Sequence, residues 1–120
     1  MSDTNSQGPL RSEFANDPEM SEMVGLFLSE LPMRIDGVVA AVRSGDADTL
    51  RRLAHQIKGA AGGYGFPTVG AAAGKVEQGL KAVTDPRAAL DAVHAEVREL
   101  VELCCRAADS SNTNIARPRW

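Results

Sequence analysis

Apolar residues recur every third or fourth position along four separate stretches of this chain. That period leaves little but helices for the chain to fold into. Met20, Met23, Val24, Phe27, Leu28, Leu31, Ile35, Val38, Val39 and Val42 mark the first stretch. Leu50, Leu53, Ala54, Ile57 and Ala61 mark the second, and Val69, Ala73, Val76, Leu80 and Val83 the third. Leu90, Val93, Val97, Leu100, Val101 and Cys104 mark the fourth. Such spacing gathers apolar side chains on one face of an α-helix. No stretch alternates apolar and polar residues as a strand would, and no repeat of about 20–50 residues is visible.

Punctuation between the stretches sets the boundaries. Asp17-Pro18-Glu19 reads as an N-cap followed by a first-turn proline, so a first helix is predicted from there to about Ser44. Pro32 falls inside it and should kink or split it, because proline removes one backbone hydrogen bond. Ser44-Gly45-Asp46 is a tight connection into a second helix, from about Ala47 to Gly62. Pro67 opens a third helix after the Gly63-Tyr64-Gly65-Phe66 loop, and Tyr64 and Phe66 should close the end of the bundle. Asp85-Pro86 opens a fourth, running to about Ala108. Four amphipathic helices with short loops predict an all-α fold, an antiparallel up-down four-helix bundle over residues 17–108. Residues 1–16 are expected to be a flexible N-terminal segment and 109–120 a flexible tail.

Composition narrows the function classes. At 120 residues and 43% hydrophobic, the chain can bury one core but not two. A net charge of -3 and the lack of basic tracts argue against nucleic acid as partner. No apolar run approaches the ~18 residues that cross a bilayer, and no signal peptide is read at the start. Adjacent Cys104 and Cys105 match no metal-ligand spacing, and a reducing, cytoplasmic location is expected. His94, at the edge of the fourth apolar face, reads as a boundary residue, and the methionines as core or boundary filler.

Local rules break around one histidine. At about 100° per residue, His55 lies roughly opposite the second helix's apolar stripe. Lys58, Gly59 and Gly62 share that outer face. Seven of the eleven glycines lie between Gly59 and Gly79, although each helical glycine costs about 1 kcal/mol relative to alanine. Close helix packing is one explanation, and for Gly70, Gly74 and Gly79 it stands level with a functional one. Gly59 faces away from the stripe, so there the better explanation is a partner approaching the imidazole.

Taken together, Ala54-His55-Gln56-Ile57-Lys58-Gly59-Ala60-Ala61-Gly62-Gly63-Tyr64-Gly65-Phe66 resembles the signature of histidine-containing phosphotransfer (HPt) domains. It resembles almost as closely the phosphorylatable N-terminal domain of chemotaxis histidine kinases. Lys58 three residues past the histidine, Gly59 after it and Gly65 carry the likeness, and Glu77 matches the family's acidic residue on the next helix. Chemotaxis-type domains often hold a second histidine three residues before that acid, where this chain has Gly74. No kinase domain is present in these 120 residues, so a free-standing phosphotransfer protein is expected, with an excised kinase fragment as the alternative.

The resemblance implies that His55 accepts a phosphoryl group from a receiver-domain phospho-aspartate or a histidine kinase, and passes it on. An imidazole titrates near neutrality, so a nucleophilic nitrogen is on offer at physiological pH. Lys58 would offset charge on the phosphoryl oxygens. Glu77 would hydrogen-bond one ring nitrogen and orient the other. Gln56, Gly59, Gly62, Gly65, Arg51 and Arg52 would contribute to partner docking. No cofactor or metal is expected in this chain, because Mg2+ would be held by the receiver. Neither kinase nor ATPase activity of its own is expected, and the chain should be a monomer without membrane association. A non-transferring adaptor that docks receivers or kinases is the competing reading.

Overall fold

The computed structural model describes residues 8–110 and 117–118. Within them the fold is all-α, with five helices: α1 Ser21–Ser44, α2 Ala47–Gly63, α3 Pro67–Ala82, α4 Pro86–Ala92 and α5 His94–Asp109. α1 packs on α2 and α5, and α3 packs on the same two, so the four long helices close a ring around one core. The apolar stripes fill it: Phe27, Leu31, Val38, Leu50, Ile57, Val69, Val76, Val97 and Leu100 are almost wholly buried.

The α1–α2 connection rests on two residues. Gly45 takes a left-handed φ of 75°, and the amides of Gly45 and Asp46 return to the carbonyls of Val42 and Ala41, which ends α1. Asp46 then starts α2, because its carboxylate accepts the Thr49 amide at 3.1 Å and the Thr49 hydroxyl at 2.6 Å. These bonds to Thr49 hold the Asp46 carboxyl below its ordinary pKa.

Several sequence expectations need correction. α1 starts at Ser21 rather than near Asp17, because the Asp17 side chain accepts the Glu19 amide at 2.9 Å and closes a turn ahead of the helix. Pro32 does not split α1. Its ring costs one backbone bond, but Leu28, Leu31 and Ile35 on either side are buried and hold the two halves in line. Met23 and Met33 are not filler but exposed, with Met33 at 69%. Met23 lies about 100° round the helix from the centre of the buried stripe. The single fourth helix is instead α4 and α5, parted at Val93. Gly79 of α3 lies against this break. The Val93 side chain fills the space that a Cβ at position 79 would occupy.

The described part of the N-terminal segment, expected to be flexible, is tied to the bundle. Leu10 donates its amide to Arg106 O, and Arg106 Nε donates to Gly8 O at 2.7 Å. Ser12 Oγ donates to Tyr64 O at 2.6 Å, and Glu13 N to Gly65 O at 2.7 Å. Leu10 and Phe14 pack against the core. This strap crosses the loop that follows α2, whose Tyr64 and Phe66 rings both contact Phe27. At the other end, α5 runs on to Asp109, and Arg117 forms a two-pronged pair with Glu102 at 2.9 and 3.1 Å. The expected flexibility of residues 1–7, 111–116 and 119–120 lies outside the described residues.

The strap also decides the role of Gly65. Its φ is +86°, and a Cβ there would meet Ser12 Oγ, the Glu13 amide at 2.8 Å and the Phe14 ring at 3.0 Å. Gly65→Ala should therefore destabilise the fold by about 2 kcal/mol or more, combining left-handed strain with displacement of the strap. Urea unfolding, read as the midpoint, checks this. An unchanged midpoint would mean that the strap does not hold the loop.

Candidate functional site

α2 presents two chemically different faces. Leu50, Ala54, Ile57 and Ala61 are buried, while Arg51, Arg52, His55, Gln56, Lys58, Gly59 and Gly62 are exposed. The His55 side chain is 71% exposed, yet its ring is held. Its Nδ1 lies 2.9 Å from Oε2 of Glu77 on α3. An ionised carboxylate can only accept, so in the neutral ring Nδ1 carries the proton and Nε2 keeps its lone pair. Nδ1 is thereby tied to α3, and the nucleophilic nitrogen is the other one.

Glu77 is only 6% exposed in its side chain, an expensive place for a carboxylate without partners. It has two. Lys81, one turn on along α3, brings Nζ to 3.5 Å of the same Oε2. Burial pushes the Glu77 pKa up, but the hydrogen bond from His55 and the charges of His55 and Lys81 together outweigh it, leaving the carboxyl below its ordinary value. Lys81 was not among the sequence-predicted site residues. Its spacing from Glu77, i to i+4 on one helix, was the signal that could have found it.

The other residues divide by position. Lys58 is exposed on the His55 face and makes no ion pair among the described residues. Its alkyl stem lies over Gly74 of α3, where a Cβ would stand 3.7 Å from Lys58 Cδ. Arg51 lies one turn before His55, and Arg52 donates to Thr49 Oγ1 at 3.2 Å. Gln56 sits about 100° round α2 from His55, off the centre of that face.

The glycines separate in the same way. At Gly59 and Gly62 a Cβ would meet nothing within 4 Å, and neither has a positive φ. Nothing among the described residues requires them to be glycine. Gly70 differs: a Cβ there would come 3.4 Å from Lys58 O, so it serves the close approach of α3 to α2. Gly65, expected among the docking residues, is instead buried beneath the N-terminal strap and not on the His55 face.

The cysteines and the second histidine lie elsewhere. Cys104 and Cys105 are buried and free, and burial pushes the Cys104 thiol up to about 12. His94 opens α5 and lines a groove with Arg43, Asp85 and Arg87, away from the His55–Glu77 pair. Among the described residues no group of three or more His, Cys, Asp or Glu could hold a metal ion, and no helix is long and apolar enough to cross a membrane.

The Glu77 carboxyl links the site to pH. Its folded-state value lies below the unfolded one, so the ionised form stabilises the fold above the ordinary value of 4.5. That contribution is lost as pH falls through the lowered value. Glu77→Gln should therefore cost stability at neutral pH, and the gap to the parent protein should narrow below pH 4.5. Chemical denaturation of both proteins across that range checks the sign. A gap that kept widening with acid would reverse it.

Comparison with known proteins adds one positive finding. The family model described as Hpt domain matches residues 22–109, most of the chain and all of the site just described. No curated protein and no solved structure matches. The match spans the exposed, carboxylate-held histidine, the lysine one turn on and the open glycines of the same face. The chain belongs to the Hpt domain family, whose members work in histidine phosphotransfer within phosphorelays and interact with receiver domains and histidine kinases.

Proposed function

We propose that this protein is a phosphorelay intermediate in which His55 carries the phosphoryl group. One observation supports the reading above all: a 71% exposed imidazole whose Nδ1 is fixed by a buried carboxylate. Nε2 attacks the phosphorus of an aspartyl phosphate on a receiver domain, or of a phosphohistidine on a kinase. The bond from phosphorus to the donor breaks, and its electron pair leaves with the donor group. Return transfer onto a second receiver runs the same step backwards. Transfer of this kind needs positioning and charge stabilisation more than covalent help.

Each residue of the face then has a task. Lys58, free of other ion pairs among the described residues, meets charge on the phosphoryl oxygens. Gly59 and Gly62 leave bare backbone against which the receiver's acidic pocket can close. Arg51, Arg52 and Gln56 border the contact. The receiver brings the Mg2+, and the chain alone performs neither ATP hydrolysis nor autophosphorylation. The protein acts as a monomer in the cytoplasm. α4 and α5 together form the fourth member of an antiparallel up-down four-helix bundle.

Three measurements test the proposal. Mixed with phosphorylated cognate receiver, the protein should take up an acid-labile, base-stable label that is absent in His55→Gln. If His55→Gln instead keeps both partner binding and biological output, the chain is a docking adaptor. Lys58→Ala should slow transfer about tenfold or more while leaving binding nearly intact, since charge stabilisation belongs to the transition state. Equal losses in rate and affinity would make Lys58 a docking residue. Gly59→Gln should leave the fold as stable as before, or up to about 1 kcal/mol more stable, while weakening receiver binding. Unchanged binding would remove the bare backbone from the interface.

A further inference from the structure

A groove beside the site holds three charged side chains that do not pair with one another. It is lined by Lys58 of α2, Lys75 of α3 and Glu96 of α5. Glu96 Oε1 is shut off from solvent and has no hydrogen-bond partner among the described residues. Neither Lys58 nor Lys75 forms an ion pair with it, or with any other described residue. We propose that this groove determines which receiver the protein accepts: Glu96 takes a basic side chain of the receiver, and Lys75 an acidic one. The inference rests on the reading of His55 as the phosphoacceptor, and it adds a second contact to the one at Gly59 and Gly62.

The sequence builds the groove from small residues. Ala71, Gly74, Lys75 and Gln78 follow one another at helical spacing along the outer side of α3. Gly74 offers no side chain, and the Lys58 stem crosses there: a Cβ at position 74 would stand 3.7 Å from Lys58 Cδ and 3.8 Å from Cε. Gly79 admits the side chain of Val93, the residue that starts α5. Glu96 follows in the first turn of α5, where the free amides of the helix start favour an ionised carboxylate.

Charge decides what fits. A carboxylate oxygen cut off from water is unfavourable until a donor reaches it. Two ammonium groups share the groove, on long flexible stems, and neither is brought to Oε1. A small anion would meet the lysines and leave Glu96 as it is. A lone basic side chain would meet Glu96 and be opposed by the lysines. Only a surface that carries both signs answers Glu96 and Lys75 together, which leaves Lys58, one turn from His55, for the phosphoryl group.

Position argues for the receiver. The bare backbone at Gly62 borders α3, since a Cβ at Gly70 would stand 3.7 Å from Gly62 N. A receiver that closes over Gly59 and Gly62 toward His55 therefore also comes over Lys58 and onto α3. The reacting atoms fix how it sits, so a receiver with the wrong charge at the groove loses affinity without any change in the chemistry.

Receiver domains phosphorylated with acetyl phosphate are mixed in turn with the parent protein, and the one that labels it fastest is the probe. Affinity by titration calorimetry and transfer rate at saturating receiver are compared for the parent, Glu96→Gln, Glu96→Lys and Lys75→Glu. Glu96→Gln should melt no lower than the parent, because Oε1 holds nothing among the described residues. It should weaken binding about tenfold, and Glu96→Lys more, with transfer at saturation within about twofold of the parent. Lys75→Glu should weaken binding about threefold at low salt and less at high salt. Reversing one basic residue of the receiver to glutamate should restore affinity for Glu96→Lys. Unchanged affinity in both Glu96 variants, or no reversal that rescues Glu96→Lys, overturns the role of the groove. A parent protein that no phosphorylated receiver labels, or His55→Gln that is still labelled, overturns the phosphoacceptor reading beneath it.

Discussion

The hydrogen bond between His55 and Glu77 depends on how near two helices can come. α2 and α3 make the most extensive contact in the fold, and at Gly70 a Cβ would already touch the carbonyl of Lys58. That spacing brings a carboxylate rooted in the core of α3 to a ring on the outer face of α2. A wider interface would leave Glu77 buried without its partner, at a cost of several kcal/mol for an unpaired buried charge. The close approach therefore governs both the stability of the carboxylate and the orientation of the imidazole.

The glycine-rich stretch from Gly59 to Gly79 is then not one feature but several. Gly70 admits a neighbouring backbone, Gly79 admits the side chain of Val93, and Gly65 admits the strap while holding a left-handed φ. Gly59 and Gly62 admit nothing from the described residues. Composition alone shows a cluster of residues that each weaken a helix. Only the surroundings of each Cβ position separate those that serve the fold from those left bare toward solvent.

Much of the fold was readable because helical periodicity is a strong signal over long stretches. The stripes of Val24, Phe27, Leu28, Leu31 and of Leu50, Ala54, Ile57, Ala61 are the buried faces. What escaped was set by tertiary contact. Asp17 has the chemistry of an N-cap but spends its side chain on a turn. Pro32 reads as a breaker, yet burial on both sides carries α1 through it. Val93 carries an ordinary helix pattern, and its packing against Gly79 on another element is not visible in that pattern. The polar segment at residues 8–16 gave no periodic signal, because its ties are backbone and hydroxyl bonds to a distant loop. At the site, His55, Lys58 and Glu77 stood out by type and spacing. Lys81 did not, since a surface lysine one turn from a glutamate is common and matters only when that glutamate is buried.

The bonds between Gly8, Leu10 and Arg106 have a topological consequence. They set the beginning of the described chain beside the closing turns of α5, so the path into the domain and the path out of it run next to each other. A unit with adjoining termini can be spliced into a surface loop of another protein, or have its ends joined and be reopened elsewhere, with little distortion. The short link at Thr84-Asp85, far in sequence from the imidazole and exposed, offers such a point for reopening.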